Sequence, residues 1–515
     1  MKTSRRALLA ASLGLGQLAL LERFGLLRDA RADTPADAPT KLLSIYLSGG
    51  WRPTYYFCPL SPEDIDKAIP APSDFVGEPV FFDAASLVDL APGDGKYSPI
   101  RIPRTWNDAE PEQWGNGYSP YGRIYQEQQL YEQLSVLHGI DQGTNSHGSG
   151  YIAAMCGLAG SSYRAPGLAC VAAAFLHGKF GDARPLPCVV LDSRGMPASL
   201  DLPAPGSPIL VPDPVSVKQL FSTDPANNWW WQGLDQRTQR EELDFLGKAT
   251  GGQIPLTDLE AYALGSIRGA RGRTTASTDA VLEKLHGDYA SVSKILARDV
   301  ASVLEKTPGA ANLDDYGYHF GANFGQYELK AKMDMSLRLL KSDLASSIHV
   351  YFGEEYYDTH SGYLGHVSVA GRQRGAMEVI GRLLSEMKQT PAPSRPGFSL
   401  LDDTLVLVFS EFSRTWAGGQ SQSQPDSWSY LDDHHPYTSV VFAGGGVAAN
   451  RQIGNYTVPN GIGVEVDVIE EDGATGKRVP RACDVTATAL RILGLDFYDF
   501  FIPGGYGEVV GIRAG

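Results

Sequence analysis

Between Thr404 and Gly446 the chain gathers side chains able to hold a divalent cation. Ser410, Glu411 and Arg414 follow the apolar run Leu405–Phe409, and Asp432, Asp433, His434 and His435 precede a second apolar run, Ser439–Ala443. Carboxylates mixed with imidazoles suit a borderline ion such as zinc or manganese. Tyr357-Asp358-Thr359-His360 carries the same chemistry. Together Asp358, His360, Glu411, Asp433 and His434 make a four- or five-ligand site, or divide between two ions. Arg414 either grips an anionic oxygen through its two-pronged guanidinium or pairs with Glu411 or a neighbour. His147, in Asn145-Ser146-His147-Gly148-Ser149-Gly150, is either a proton donor or a loop histidine.

The ten histidines sort by context. His177, His286, His319 and His349 lie in helical or strand contexts and read as structural, and His138 ends a strand. His147, His360, His366, His434 and His435 sit at strand exits or in polar loops.

Elements must bring these residues together. The runs at 405–409 and 439–443 have the length and β-branched content of buried parallel strands. Further strands are predicted at Leu42–Leu47, ending in Ser48-Gly49-Gly50, and at Leu134–His138, Cys188–Leu191 and Ile348–Phe352. Helices are predicted over Tyr125–Gln133, Tyr151–Gly157, Leu168–Leu176, His366–Lys388 and Asp484–Leu493. Val464–Pro480 reads as a hairpin about Asp472-Gly473. Strands alternating with helices make an α/β protein with a mainly parallel sheet covered on both faces. Ligands in such sheets bind beyond the carboxyl ends of the strands, so Asp358 and Glu411 converge if the strands at 348 and 405 are neighbours. The 415–431 loop, polar and rich in glycine and serine, then folds Asp433 and His434 back over that edge.

The first residues are a separate unit. A basic start, an apolar stretch to Leu21 and the small-residue site Ala30-Arg31-Ala32 form a signal over 1–32, followed by a Pro/Ala/Asp-rich linker over 33–40. Ser4-Arg5-Arg6-Ala7-Leu8-Leu9 resembles the twin-arginine address for export of folded proteins. Cleavage after Ala32 removes six basic and two acidic residues, taking the net charge from −15 to −19. That charge, with no basic run, excludes nucleic acid as a partner. No later segment spans a membrane, so the mature form is expected to be periplasmic or extracellular. Residues 41–515 read as a single domain with irregular insertions near 60–120 and 196–260, the latter holding Trp229, Trp230 and Trp231. Five widely spaced cysteines read mostly as buried apolar residues, with a Cys156–Cys170 disulfide permitted in an oxidising compartment.

Several motifs occur in one family's order: SRRALL, LSVLHGI followed by Ser146-His147, Asp358-Thr359-His360, TLVLVFSEFSRT, Asp433-His434 with Pro436, SVVFAGGG, and Asp484-Val485 with its helix. The chain thus resembles the domain-of-unknown-function 1501 family over most of 41–500. That family is similar to the alkaline phosphatase and sulfatase superfamily. The resemblance implies a three-layer α/β/α sandwich, alkaline-phosphatase-like, and divalent-metal hydrolysis of phosphate or sulfate esters, small or borne on a polymer. One position departs from the pattern. The family's aspartate after the first Gly-Gly is replaced in Gly49-Gly50-Trp51-Arg52-Pro53 by Arg52, which cannot ligate a cation. Either Asp64 substitutes, or a site is lost. Thr54 is the nearby hydroxyl that would serve as nucleophile, or it is structural. Cys58 lacks the proline and arginine of the sulfatase nucleophile motif and is set aside. The expected function is an exported metal-dependent ester hydrolase; the alternative is a non-catalytic exported binding or assembly protein with a degenerate metal site, in which Arg52 would pair with Asp358, Asp433 or Glu411.

Overall fold

A computed structural model describes residues 38–53, 56–61, 63–64, 87–103, 123–157, 166–180, 184–191, 208–210, 324–353, 357–358, 362–415, 433–458, 460–470, 472–495 and 506–514. The expected signal over 1–32, Thr54, His360, the 416–432 stretch and the three adjacent tryptophans lie outside these. In chain order the elements are β1 (Lys41–Leu47), β2 (Leu87–Asp89), β3 (Arg101–Pro103), α1 (Arg123–Glu127), β4 (Leu134–Asp141), α2 (His147–Cys156), α3 (Leu168–Phe180), β5 (Leu186–Leu191) and β6 (Ile209–Leu210). There follow α4 (Phe324–Lys341), β7 (Ala345–Phe352), α5 (Gly362–Gln389), β8 (Thr404–Phe409), β9 (Ser413–Arg414), β10 (His434–His435) and β11 (Tyr437–Gly444). The chain closes with β12 (Arg451–Ile453), β13 (Val466–Glu470), β14 (Thr475–Arg478), α6 (Ala482–Ile492) and β15 (Gly507–Val509).

Eight strands form one sheet in the order β12-β4-β11-β8-β1-β7-β5-β6. Neighbours pair in parallel except around β11, which runs antiparallel to both β4 and β8. The sheet is therefore mixed and mostly parallel, an α/β fold. One expectation is corrected and one condition is not met. The Ser439–Ala443 run is a buried strand but not a parallel one, because an apolar, β-branched run reports burial on both faces and says nothing of direction. The strands at 348 and 405 are not neighbours, since β1 lies between them.

Alternation along each strand divides the core. Leu43, Ile45 and Leu47 of β1 pack in one cluster with α4 and α5 through Leu337, Met377 and Leu384. Leu42 and Tyr46 pack in the other with α2, α3 and α6 through Ile152, Ala172 and Leu490. One sheet between two helical layers follows from this period of two. Elsewhere β13 and β14 form the expected hairpin, extended by β15. The helix predicted over Tyr125–Gln133 is interrupted at Gln129, whose φ of 50° ends α1 before a 3₁₀ turn.

The amino-terminal edge of the parallel strands is closed by a buried ion network. Lys41 Nζ lies 2.5 Å from Asp403 and 3.0 Å from Asp343, with the Lys41 and Asp403 side chains fully buried. Arg184 joins it through Asp343 at 2.9 Å, and Arg395 through Asp403 at 3.2 Å. The five cysteines are free and buried, so the Cys156–Cys170 bridge is not formed. Burial pushes the Cys58 thiol up to about 12, which suits a packing role and not a nucleophile.

Candidate functional site

The opposite edge collects the chemistry. The carboxyl ends of β1, β7, β8 and β4 lead to Gly49, Asp358, Glu411 and His147, and β11 begins at this edge because it runs the other way. The antiparallel pair β9–β10 sets Arg414 opposite His434 and His435 opposite Ser413. Asp433 thus lies beside Thr415 at this edge, with Thr415 N bonded to the Asp433 carbonyl at 2.8 Å.

Glu411 is fully buried and enclosed by donors. Its Oε1 accepts from Gly49 N (2.8 Å) and His147 Nδ1 (2.8 Å), and Oε2 accepts from Ser410 Oγ (2.8 Å). Burial raises a carboxyl pKa, but these bonds outweigh it and hold Glu411 below its usual value. An ionised carboxylate only accepts, so His147 carries its proton on Nδ1.

His147 is the first residue of α2, not a loop residue, with Ser146 in extended conformation at the N-cap. Gly150, one turn on, permits this placement: a Cβ there would lie 3.0 Å from the Glu411 Cβ. Gly49 plays the matching role on the other side. Its φ is +106°, and a Cβ would fall 2.5 Å from Asp358 N. Two loops can pass this close only where a side chain is missing.

His434 shows the same logic as His147. Its Nδ1 lies 2.7 Å from the Asn145 carbonyl, which only accepts, so Nδ1 again carries the proton. The two Nε2 atoms then face one carboxylate, that of Asp358: His147 Nε2 lies 3.3 Å from Oδ2 and His434 Nε2 lies 3.2 Å from Oδ1. Neutral Nε2 and a carboxylate oxygen are both lone-pair groups, and at this range a proton or a cation must lie between them. One donor atom from each of His147, Asp358 and His434 can be chosen so that all lie within 4.8 Å of one another. Donors about 2.0–2.2 Å from a shared zinc stand roughly 3–4 Å apart, so the spacing fits one ion. Phe412 forms the floor, stacked on His434 (centroids 4.3 Å, 30°) and 4.8 Å from the His147 ring.

Arg414 is fully buried. Its Nη2 donates to the carbonyls of Gly49 and Tyr357 and to Asp358 Oδ1 (2.7 Å), and Nε donates to Gly50 O at 3.3 Å. Burial raises the Asp358 pKa, yet the Arg414 guanidinium beside it brings it down to about 2.

Of the sequence-predicted residues, His147, Asp358, Glu411, Arg414 and His434 come together. Glu411 stands behind His147 and not beside Asp358, because its oxygens are taken by donors. Arg414 faces carbonyls and Asp358, not solvent. Asp433 is exposed and caps the His434 amide at 2.8 Å. Asp64 accepts from Ser61 in its own turn at 2.7 Å. The guanidinium at Asp358 is that of Arg414, whereas Arg52 donates to the Thr415 carbonyl and its main chain is clamped by Gln373 at 2.8 and 2.7 Å. Sequence reading did not single out Phe412, Gly150 or the Asn145 carbonyl. Phe412 had a signal, lying inside SEFSRT; a main-chain carbonyl has none.

A family model described as "Protein of unknown function (DUF1501)" matches residues 283–505. That match supports the DUF1501 family. The DUF1501 span carries Asp358, Glu411, Arg414 and His434, while β1 and His147 precede it. Comparisons with curated proteins and with solved structures gave no match.

Proposed function

We propose that the chain is an exported, metal-dependent hydrolase of phosphate or sulfate esters on an alkaline-phosphatase-like scaffold, with His147, Asp358 and His434 as ligands. The observation that carries this is the pair of imidazoles, each with Nδ1 fixed as donor by an acceptor-only group, directing both Nε2 atoms at one carboxylate. Nδ1 bonded to a carboxylate or carbonyl is the usual support of a metal-ligating histidine. A divalent ion there would supply a Lewis acid for a phosphoryl or sulfuryl oxygen. Glu411 orients His147 and raises its basicity, Arg414 fixes Asp358, and Phe412 sets the planes of both rings. Thr54 is proposed as the nucleophile and His360 as a further ligand, while Asp433, exposed and bonded to the His434 amide, is not part of the proposed ligand set. The substrate is a small or polymer-borne anionic ester.

A second reading has its own support. Arg52 stands where the resemblance calls for an acid, and Arg414 already neutralises Asp358; both suit a non-catalytic binding protein with a degenerate site. One experiment separates the two. Mature protein recovered after export is assayed for bound metal and for hydrolysis of nitrophenyl phosphate, bis-nitrophenyl phosphate and nitrophenyl sulfate. Stoichiometric metal with turnover abolished in Asp358→Asn supports the hydrolase; metal-free protein without turnover supports the degenerate site. Export by the twin-arginine route predicts that Arg5→Lys with Arg6→Lys leaves unprocessed protein in the cell, and normal processing would sink that route.

A further inference from the structure

We propose that this edge holds one divalent cation and not two, the Arg414 guanidinium standing where a second would have to bind; this rests on the metal reading above. A two-ion site needs carboxylates that see a cation on each side and further donors for each ion. Among the described residues the edge offers two buried or half-buried carboxylates, Asp358 and Glu411. Asp358 Oδ2 faces His147 Nε2 (3.3 Å), and its Oδ1, which faces His434 Nε2 (3.2 Å), already accepts from Arg414 Nη2 (2.7 Å), so the guanidinium holds the remaining approach to this carboxylate. Glu411 receives Gly49 N, His147 Nδ1 and Ser410 Oγ, each at 2.8 Å.

Arg414 is not a side chain that swings aside. It is fully buried and held by the carbonyls of Gly49, Gly50 and Tyr357, which come from the loops after β1 and β7. Moving it would leave buried carbonyls without a donor. A guanidinium stays charged at every accessible pH and has no lone pair, so it repels a nearby cation and ligates none. The arrangement also bears on the substrate. Arg414 cancels the charge of Asp358, and the imidazoles bind as neutral ligands, so with the buried Glu411 behind His147 offsetting one charge, one unit of a divalent ion's charge is left uncompensated. An anionic oxygen is the partner that would neutralise it, which is what a phosphate or sulfate ester brings.

The test loads the mature full-length chain with Mn²⁺, measures metal per chain by elemental analysis and records electron paramagnetic resonance spectra. One ion per chain with the hyperfine pattern of an isolated Mn²⁺ is the expected result. Two ions per chain with a spin-coupled spectrum would overturn the inference and leave the metal reading intact, whereas no stoichiometric ion would overturn both. Arg414→Lys, which keeps the charge, should stay at one ion. Arg414→Gln should admit a second ion on titration, and a folded Arg414→Gln protein that still saturates at one would show that the guanidinium is not what excludes it. Should Arg414→Gln fail to fold, the wild-type spectrum still decides the number of ions.

Discussion

Asp358 is the residue on which the site converges. Replacing it as Asp358→Asn removes the charge and half the ligand capacity, so metal binding in calorimetric titration should fall below detection while far-ultraviolet circular dichroism is unchanged. Glu411 acts at one remove. Glu411→Gln keeps the shape but weakens the acceptor behind His147 Nδ1, 2.8 Å away. Loss of such supporting bonds costs roughly 10- to 100-fold in metal affinity. An affinity equal to wild type would mean that Glu411 does not orient His147, and complete loss would point to direct ligation instead.

The elements do unequal work at the two ends of the sheet. At the site end, the turn after β1 passes against the Tyr357–Asp358 segment through Gly49. A side chain there meets main chain and also an unfavourable φ, a strain of about 1–3 kcal/mol. Gly49→Ala should therefore displace Asp358 and weaken metal binding more than it lowers stability; unchanged binding would show that the contact is slack. At the far end, β1, β7 and β8 are tied by Lys41, Asp343 and Asp403, with the Lys41 and Asp403 side chains fully buried. Asp403→Ala would remove one of the two carboxylates on the buried Lys41, leaving Asp343 at 3.0 Å, at a cost of about 1.5–3 kcal/mol. Urea unfolding measures this, and a loss under about 1 kcal/mol, the range of an exposed pair, would sink the argument.

Across the whole molecule, two core histidines couple folding to pH. His138 bonds Ser439 Oγ (2.7 Å) and Gln452 Oε1 (2.8 Å), and His349 bonds Ser44 Oγ (2.9 Å). Burial lowers the pKa of each to about 3. An unfolded histidine titrates near 6.5. Between about 6.5 and 3 the unfolded chain therefore binds protons that the native state refuses, and stability falls as pH falls through that window. The slope is about 1.4 kcal/mol per pH unit for each histidine. Asp358, with its carboxyl at about 2, adds a loss in the same direction below about pH 4. Urea midpoints measured from pH 7 to pH 4 should drop steadily, and His138→Gln with His349→Gln should flatten the curve; a flat wild-type profile would refute the buried neutral histidines.

What is local or periodic was legible in the residues alone. Apolar runs marked β1, β4, β5, β7, β8 and β11, alternation placed their residues on two faces, and Asp472-Gly473 marked the β13–β14 hairpin. Residue chemistry picked out His147, Asp358, Glu411, Arg414 and His434 before any geometry was known, because carboxylates and imidazoles at strand exits have few uses. What depends on neighbours emerged with the folded arrangement. Strand direction is not written in an apolar run, so the reversal of β11 and the insertion of β1 between β7 and β8 could not be read. Roles follow from distance: Glu411 became the support of His147 and Arg414 the anchor of Asp358 because hydrogen bonds act over about 3 Å, whereas these pairs lie 264 and 56 residues apart along the chain.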